Sequence, residues 1–450
     1  MKVKEIIAAT NGKLLSGDLE LEITGFSQDS RQVKPGMMYI PIIGARFDGH
    51  DFIASAFENG ASAIITSRVI DDKEHTVILV DDTLKALQDM ASYLRSHRNV
   101  TVVGITGSVG KTSTRDMVYS VIKQKYKTLK TEGNYNNNIG LPLTILRLQD
   151  EQVMVLEMGM NHLKEMEELS LIAKPDISAI TNVGTAHIGE LGSRENILKA
   201  KLEIITGMND GSLLVINNDN DMLQTVKIER LQLIKTAIDN DGDFKAYNVI
   251  LNDNSSEFDL NYNHQTYHIK VPVPGKHFIL NALIAIAIGI SLDIEMELCI
   301  QGINEFKLTK NRMDVIELKD NITLIDGTYN ASEDSMKSSL DVLATYKRRK
   351  IAVLADMLEL GKYSEAIHRN IGKYVADKKI DVLITVGKEA EYIALAAKNA
   401  GMKEIYCCQD NQEVLNCLEN NLESNDVVLL KGSNGMKLKE VVTKIKEKRS

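Results

Sequence analysis

The sequence contains little cysteine and little proline, with four cysteines and six prolines among 450 residues. It also lacks any long polar or proline-rich tract, so its composition gives no indication of a disordered segment. The cysteines include no Cys-x-x-Cys pair and no Cys/His cluster with zinc-ligand spacing; they are Cys299, Cys407, Cys408 and Cys417. We therefore predict unpaired thiols in a reducing compartment.

Long apolar runs and an excess of positive charge are also missing. The longest apolar run, 278–290, is interrupted by Asn281 and is too short to cross a bilayer, so it predicts a buried helix. The N-terminus has no apolar signal core, which predicts a soluble, cytoplasmic protein without membrane insertion. Acidic residues outnumber basic ones by 62 to 53, for a net charge of −9, and no basic stripe suggests a nucleic-acid partner.

The order of short apolar runs predicts the fold class. From residue 100 onward, strand-like runs such as 153–156, 177–180 and 213–216 alternate with helical stretches. Strands that nearly lack polar residues, separated by helices, favour a parallel sheet covered on both faces. We predict an α/β protein of three units, at 1–98, 99–312 and 313–450, of which the last has the βαβ pattern of an open, Rossmann-like sheet.

Three segments carry more detailed predictions. A strand is expected at 37–43, before Gly44, and a helix beginning near Thr83 should be capped by Asp82. The stretch 193–208 reads as a helix. The stretch 244–273 alternates only partly and has turn residues, so we predict an antiparallel appendage.

The strongest local feature is the turn Thr106-Gly107-Ser108-Val109-Gly110-Lys111-Thr112, which follows a strand and precedes a helix. Glycines let backbone N–H groups point at phosphate oxygens, Lys111 adds positive charge, and the Thr112 hydroxyl can join a magnesium ion. The helix N-terminus favours the same anion. Five residues lie between Gly104 and Gly110, one more than the general phosphate-loop pattern has. The loop alone predicts nucleoside triphosphate binding and no particular reaction.

Three other residues are ambiguous by themselves. Glu157 ends a predicted strand, where its carboxylate could bind magnesium. His187 lies in a loop, where a histidine is more often a surface residue than a ligand. Lys201 is, by spacing, only a polar residue of a helix.

Together these motifs resemble the Mur ligase family of bacterial cell-wall synthesis, over nearly the whole chain. The phosphate loop matches the family's Thr-Gly-x-x-Gly-Lys-Thr, which accounts for the shifted glycine. Asp29-Ser30-Arg31 resembles the uridine-nucleotide region, so the resemblance implies that 1–98 is the UDP-substrate-binding domain. It makes 99–312 the central ATP-binding domain, where 133–137 resembles a substrate-contacting loop and Gly275-Lys276-His277 with Asn281 resembles the segment near adenine. Asn311-Arg312-Met313 resembles the hinge into the third domain, with an arginine that reaches the γ-phosphate.

The resemblance implies specific roles. The catalytic residues would be Lys111, Glu157, His187, Lys201 and Arg312. ATP would contact Gly107, Ser108, Val109, Gly110, Lys111, Thr112, Ser113, Asn281, Arg312 and Asp326. Substrate would contact Ser30, Asn134, Asn136, Asn137, Tyr329, Asn330 and Asp356. Two Mg²⁺ ions would be held with the help of Thr112, Glu157 and His187, and Lys201 stands where the family has a lysine that is often carbamylated.

The third domain indicates the acceptor. It lacks the Asp-Asn-Pro-Arg with which the preceding enzyme of the pathway reads an amino acid, and has 355–361, His368 and Lys431-Gly432-Ser433, as in the dipeptide-adding member. This implies that a monomeric enzyme joins D-alanyl-D-alanine to UDP-N-acetylmuramoyl-tripeptide through an acyl phosphate. The family's Asp-Asp-x-Tyr-Asn-Ala-Asn-Pro is altered here at Gly327, Ser332 and Glu333.

Three alternatives stay open. The first is a Mur-family ligase with another amine acceptor, and the altered loop is the observation that supports it. A P-loop kinase or unrelated NTPase would not need the nucleotide-like first domain. A non-catalytic binding module would not need Lys111, Thr112, Glu157 and His187 together.

Overall fold

The computed structural model describes residues 1–309 and 312–449 of the chain. Its strands form three sheets, of five, nine and six strands, that follow one another along the sequence. The protein is a three-domain α/β protein, as the alternating pattern predicts. None of the helices in the described ranges is long and apolar enough to cross a membrane.

The first domain is built on the five-stranded sheet, in which β1 runs antiparallel to β5 and the other neighbours are parallel. The strands are β1 (Lys13–Ser16), β2 (Gly25–Ser27), β3 (Met37–Tyr39), β4 (Ala63–Thr66) and β5 (Thr76–Leu79), and the helices are α1 (Val3–Thr10), α2 (Ile53–Glu58) and α3 (Thr83–His97). Asp82 accepts a hydrogen bond from Lys85 N and caps α3, as predicted. The strand expected at 37–43 ends at Tyr39 because Pro41 has no N–H for a ladder.

The central domain is built on the nine-stranded sheet, with the order β14-β13-β12-β11-β10-β9-β6-β8-β7. Its strands are β6 (Thr101–Thr106), β7 (Thr128–Lys130), β8 (Val153–Glu157), β9 (Ile177–Ile180), β10 (Leu213–Asn217), β11 (Gln232–Ala237), β12 (Phe244–Leu251), β13 (Ser256–Tyr262) and β14 (Gln265–Val271). Its helices are α4 (Lys111–Ile122), α5 (Gly140–Ile145), α6 (Glu165–Ala173), α7 (Ile188–Leu191), α8 (Arg194–Leu202), α9 (Asp221–Gln224), α10 (Lys276–Ser291) and α11 (Met296–Asn304).

Two predictions for this domain need adjustment. The antiparallel segment β12–β14 is confirmed, but it is no separate appendage, because β12 pairs in parallel with β11 and extends the main sheet. The helix expected at 193–208 ends at Leu202, and a 3-10 turn, Glu203–Ile205, leads to Gly207. The apolar run at 278–290 forms most of α10, which is buried against α4.

The third domain is built on a six-stranded sheet with the order β15-β16-β20-β17-β18-β19, in which only the β15–β16 pair is antiparallel. The strands are β15 (Asp314–Leu318), β16 (Ile322–Asp326), β17 (Lys350–Ala355), β18 (Val382–Val386), β19 (Ile405–Cys408) and β20 (Val427–Lys431), and the helices are α12 (Glu333–Thr345), α13 (Ser364–Asp377), α14 (Glu391–Asn399), α15 (Asn411–Asn421) and α16 (Lys439–Arg449). Further 3-10 turns in the first and third domains are Ser30–Gln32, Gly49–Phe52, Lys319–Asn321, Gly361–Tyr363 and Asn434–Met436.

The four cysteines are free thiols, as predicted.

Candidate active site

A cavity of about 670 Å³ lies between the central and third domains. Its walls include the loop between β6 and α4, the start of α10, the segment after β16, and the ends of β17 and β20. The carboxyl ends of parallel strands are where open α/β sheets bind ligands. The cavity therefore combines the ligand-binding edges of two sheets.

The loop between β6 and α4 is shaped by two glycines. Gly110 has a φ of +83°, a left-handed conformation that favours glycine. A Cβ at Gly107 would lie 1.8 Å from Thr181 Oγ1, so no side chain fits there. Lys111 Nζ donates to Gly107 O at 2.8 Å, and burial lowers the pKa of Lys111. Ser108, Val109, Thr112 and Ser113 also line the cavity, beside the N-terminus of α4.

The segment after β9 braces this loop. Val109 N donates to Asn182 Oδ1 at 2.8 Å and Ser108 N donates to Asn182 O at 3.0 Å. In return, Gly184 N donates to Ser108 Oγ at 2.9 Å. Asn182 is not among the predicted site residues, because its contact with the phosphate loop joins segments 73 residues apart.

Glu157, at the end of β8, is held by three side chains. Thr112 Oγ1 donates to its Oε2 at 2.8 Å, Asn136 Nδ2 donates to its Oε1 at 2.8 Å, and Arg115 Nη1 lies 3.2 Å from Oε2. Arg115 also pairs with the buried Asp116, at 2.7 Å. Sequence analysis missed Arg115, whose position inside α4 suggests only a helix residue.

The oxygen atoms around Glu157 fit a divalent cation. A threonine hydroxyl in contact with a carboxylate supplies hard oxygen ligands, which Mg²⁺ prefers. Within 1–309 and 312–449, no three His, Cys, Asp or Glu side chains cluster closely enough to hold a metal by themselves. A cation here therefore needs oxygen atoms from a bound nucleotide or from water to complete its ligands.

His187 stands at the start of α7, on the same cavity wall. Its Nδ1 lies 3.4 Å from Glu359 Oε2 of the third domain. Burial first, and then the positive charge of Lys111, lower its pKa to about 4, so the imidazole is neutral at neutral pH despite the nearby carboxylate. A neutral imidazole is the form that can bind a metal.

Lys201, in α8, is 2% exposed. Burial first, and then the charge of Lys111, lower its pKa well below the usual value. Lys201 is therefore a buried amine near the cavity. It is not the ordinary polar residue of a helix surface that spacing alone suggested.

Two cavity residues have buried polar atoms without a hydrogen-bond partner among the described residues, Asn281 Nδ2 and Arg312 Nε. Arg312 stacks on Tyr329, with 3.8 Å between the guanidinium carbon and the ring centre. Buried polar groups are normally satisfied, so these two atoms are available to a ligand in the cavity. Asn311, which the sequence analysis placed in the same hinge, lies outside the described residues.

The loop after β16, which contains the altered residues, is held by hydrogen bonds and leads into α12. Ser332 precedes α12, and its N–H donates to Ser335 Oγ at 2.9 Å. Glu333 pairs with Lys337 at 2.7 Å. Asp326 accepts from Thr328 N at 3.0 Å, and Asn330 O accepts from Lys431 Nζ at 3.0 Å. Ser332 and Glu333 thus begin α12 with residues suited to a helix N-terminus.

Some predicted residues do not line this cavity. Ser30 is buried in the first domain, where its carbonyl accepts from Asn59. Asn134 is exposed, and Asn137 Oδ1 accepts from Gly140 N, the first residue of α5, at 2.8 Å. Asp356 accepts from Ala390 N at 2.7 Å, and burial raises its pKa. Lys431 and Glu359, which lie in third-domain segments that the sequence singled out, line the cavity, and so does Asp334, which was not predicted.

The third domain touches the central domain beside the cavity. Asp334 Oδ2 accepts from Thr185 N at 3.1 Å, and Tyr363 hydroxyl donates to Gly192 O. Burial raises the pKa of Asp334. These contacts hold the two walls of the cavity together.

A phosphate loop facing a Rossmann-like third domain, with a first α/β domain before them, defines an ATP-dependent ligase of the Mur type. Comparison with known families supports this class: residues 22–95 match "Mur ligase family, catalytic domain", 105–289 match "Mur ligase middle domain" and 311–434 match "Mur ligase, glutamate ligase domain". The chain belongs to the Mur ligase family.

Individual relatives indicate a particular branch of that family. The UDP-N-acetylmuramoyl-tripeptide–D-alanyl-D-alanine ligase of Bacillus subtilis is 36% identical over 447 residues, covering 98% of this chain and 97% of the relative. The enzyme of that name from Escherichia coli is 32% identical, covering 97% and 96%. A crystal structure of MurF from Acinetobacter baumannii has a TM-score of 0.91 at 29% identity and covers 99% of this chain and 98% of its own. A MurF ligase from Thermotoga maritima in complex with ADP has a TM-score of 0.86 at 28% identity, covering 95% and 98%.

Proposed function

We propose that this protein joins D-alanyl-D-alanine to UDP-N-acetylmuramoyl-tripeptide, with conversion of ATP to ADP and phosphate. The observation that carries the proposal is that Lys111, Glu157 and Arg312 face one cavity between two domains. The whole-length similarity to ligases of that name supports the choice of substrates. The product would be the UDP-linked pentapeptide precursor of peptidoglycan.

The chemistry follows from the need to activate a carboxylate. The tripeptide carboxylate attacks the γ-phosphoryl group of ATP and becomes an acyl phosphate, and the amine of the dipeptide then displaces phosphate. The phosphate loop and the N-terminus of α4 bind and orient the triphosphate. Lys111 and Arg312 offset the negative charge that develops in both steps. Closure of the third domain over the bound substrates would keep water from hydrolysing the acyl phosphate.

We assign magnesium to the oxygen atoms at Thr112 and Glu157, and a second ion to His187 together with a carbamate on Lys201. Bound Mg²⁺ supplies charge neutralisation at the phosphate oxygens. Asn136 and Arg115 orient Glu157 through the contacts given above. A neutral Lys201 amine is the form that can react with CO₂, and its depressed pKa supports that assignment.

The remaining assignments rest on the sequence. Ser30, Asn134, Asn136, Asn137, Tyr329, Asn330 and Asp356 are proposed to contact substrate, and Gly107, Asn281 and Asp326 to contact ATP. We also propose domain boundaries of 1–98, 99–312 and 313–450, a monomer and a cytoplasmic location. Light scattering and cell fractionation test the last two.

Phosphate release by the purified protein with ATP and magnesium tests the function. Release should require both the UDP-linked tripeptide and D-alanyl-D-alanine. Equal release with other amines would favour the second candidate, a Mur-family ligase with a different acceptor, which Gly327, Ser332 and Glu333 suggest. Release without any amine would instead indicate a simple NTPase.

A further inference from the structure

The end of β20 presents two polar side chains to the cavity that the mechanism above does not use. Lys431 is 6% exposed and Ser433 is 4% exposed, and both line the cavity. They belong to the third domain, on the wall that faces the phosphate loop.

The hydrogen bonds of these two side chains leave donors available. Lys431 Nζ donates to Asn330 O at 3.0 Å and to Gly327 O at 3.4 Å. An ammonium has three N–H groups, so one is left for a ligand. Ser433 Oγ accepts from Leu358 N at 2.9 Å, which leaves its own proton to donate.

The charge around Lys431 favours an anion. A buried ammonium bonded to carbonyl oxygens still lacks a full negative charge in direct contact, and burying such a charge is costly. The negative charge of Asp326 stabilises the ammonium of Lys431 from a distance, but the positive charge of Arg312 destabilises it. Gly327 contributes no side chain here: a Cβ at that position would lie 3.7 Å from Lys431 Cδ.

We propose that Lys431 and Ser433 bind the carboxylate of the acceptor dipeptide and so set specificity for acceptors with a free C-terminus. The inference rests on the proposed function. The triphosphate already has the phosphate loop, Lys111 and the N-terminus of α4 on the opposite wall. The acceptor has its nucleophilic amine at one end and its carboxylate at the other, so anchoring the carboxylate on the third domain directs the amine towards the acyl phosphate.

The test compares D-alanyl-D-alanine with its C-terminal amide, in wild type and in Lys431→Met and Ser433→Ala. In wild type, kcat/KM should be about 100-fold lower for the amide, because the charge-assisted hydrogen bonds are lost. Lys431→Met should lower kcat/KM for the dipeptide by a similar factor and leave that for the amide within about threefold. Ser433→Ala should lower kcat/KM about tenfold for the dipeptide and leave kcat/KM for the amide unchanged. Lys444→Met, at an exposed position of α16, is the matched control and should behave as wild type.

Other outcomes would contradict either the carboxylate subsite or the proposed function. Equal losses with both acceptors in Lys431→Met would overturn the carboxylate subsite, as would a rise in KM for ATP that matches the loss for the dipeptide. Lys431→Arg keeps the charge and should retain more dipeptide selectivity than Lys431→Met, even if the methionine variant is less stable. Absence of any product with wild type and D-alanyl-D-alanine would refute the proposed function itself.

Discussion

The guanidinium of Arg312 lies 3.8 Å from the centre of the Tyr329 ring. The two residues are 17 positions apart, but the antiparallel pairing of β15 with β16 brings them together, since Asp314 lies opposite Asp326. The stacked ring fixes the arginine in the cavity, while its Nε has no partner among the described residues. Arg312 is therefore positioned before any nucleotide arrives.

Replacing Arg312 by lysine should separate charge from geometry. Lysine keeps the positive charge but loses the planar group that stacks on Tyr329 and forms paired hydrogen bonds with phosphate. We expect Arg312→Lys to lower kcat by about 10- to 100-fold with a smaller change in KM for either substrate. Steady-state kinetics of phosphate release provide the measurement. Arg369→Lys, in α13 where the arginine likewise lies over a tyrosine ring, is the control and should stay near wild type; an unchanged kcat in Arg312→Lys would remove Arg312 from the mechanism.

Much of the fold could be predicted because local signals agree with it. The β6–loop–α4 unit, the apolar α10 and the Asp82 cap each follow from short-range patterns. The edge strands β7, β15 and β19 were missed, since they are short or only partly buried and have little apolar pattern. The pairing of β12 beside β11, which extends the main sheet, was missed for another reason. Strand pairing is a long-range contact that sequence alternation does not specify.

Lys201 offers a test of the carbamate. Lys201→Ala should lower kcat by roughly 100-fold, because a ligand of the second ion would be lost. Added short carboxylates such as formate or acetate should restore part of the activity in this variant, by replacing the missing anion. A ¹³C NMR signal from wild type equilibrated with ¹³CO₂ should report the carbamate and should vanish in Lys201→Ala.

The matched control for that experiment is Lys199→Ala, two residues away on the same helix and exposed. It should keep wild-type activity and the NMR signal. Full activity in Lys201→Ala would return the residue to a purely structural role in α8.

His277 predicts a pH dependence of stability. Burial, and to a lesser extent the charge of Lys431, lower its pKa from 6.5 to about 4, against an opposing effect of Asp341. Between these values the unfolded chain binds a proton that the folded chain does not, so stability falls as the pH drops from 6.5 towards 4. The loss is up to about 3 kcal/mol. Above pH 6.5 both states are neutral and the effect is absent.

Urea unfolding at pH 7.5 and at pH 4.5 measures this loss. His277→Gln should reduce the difference between the two conditions, because glutamine does not titrate. His97→Gln, on the exposed end of α3, should leave the difference unchanged. The same pH dependence in wild type and His277→Gln would assign it to other groups.

The site was predicted less completely than the fold. Residues within a motif, such as Lys111 and Thr112, were found because the motif places them next to each other. Arg115, Asn182 and Lys431 act on the site only after the chain has folded, through partners 42, 73 and 101 residues away. Lys431 belongs to a motif that the family shares, but residue type and spacing do not say which partners any of the three contacts, so the contacts themselves come only from the folded chain.

The contact of Gly184 with Asp334 tests whether docking of the third domain is needed for catalysis. A Cβ at Gly184 would lie 1.9 Å from Asp334 Oδ2, so Gly184→Ala must displace that carboxylate and break its hydrogen bond with Thr185 N. We expect a larger radius of gyration by small-angle scattering with an ATP analogue and the UDP-linked tripeptide bound, and a kcat about tenfold lower. Gly44→Ala, with its nearest neighbour 3.5 Å away in the first domain, is the control. Adding Asp334→Ala to Gly184→Ala removes the clash, so the radius of gyration should return part of the way to the wild-type value. If the double variant keeps the radius of gyration of the single variant, steric conflict at this contact does not govern closure of the third domain.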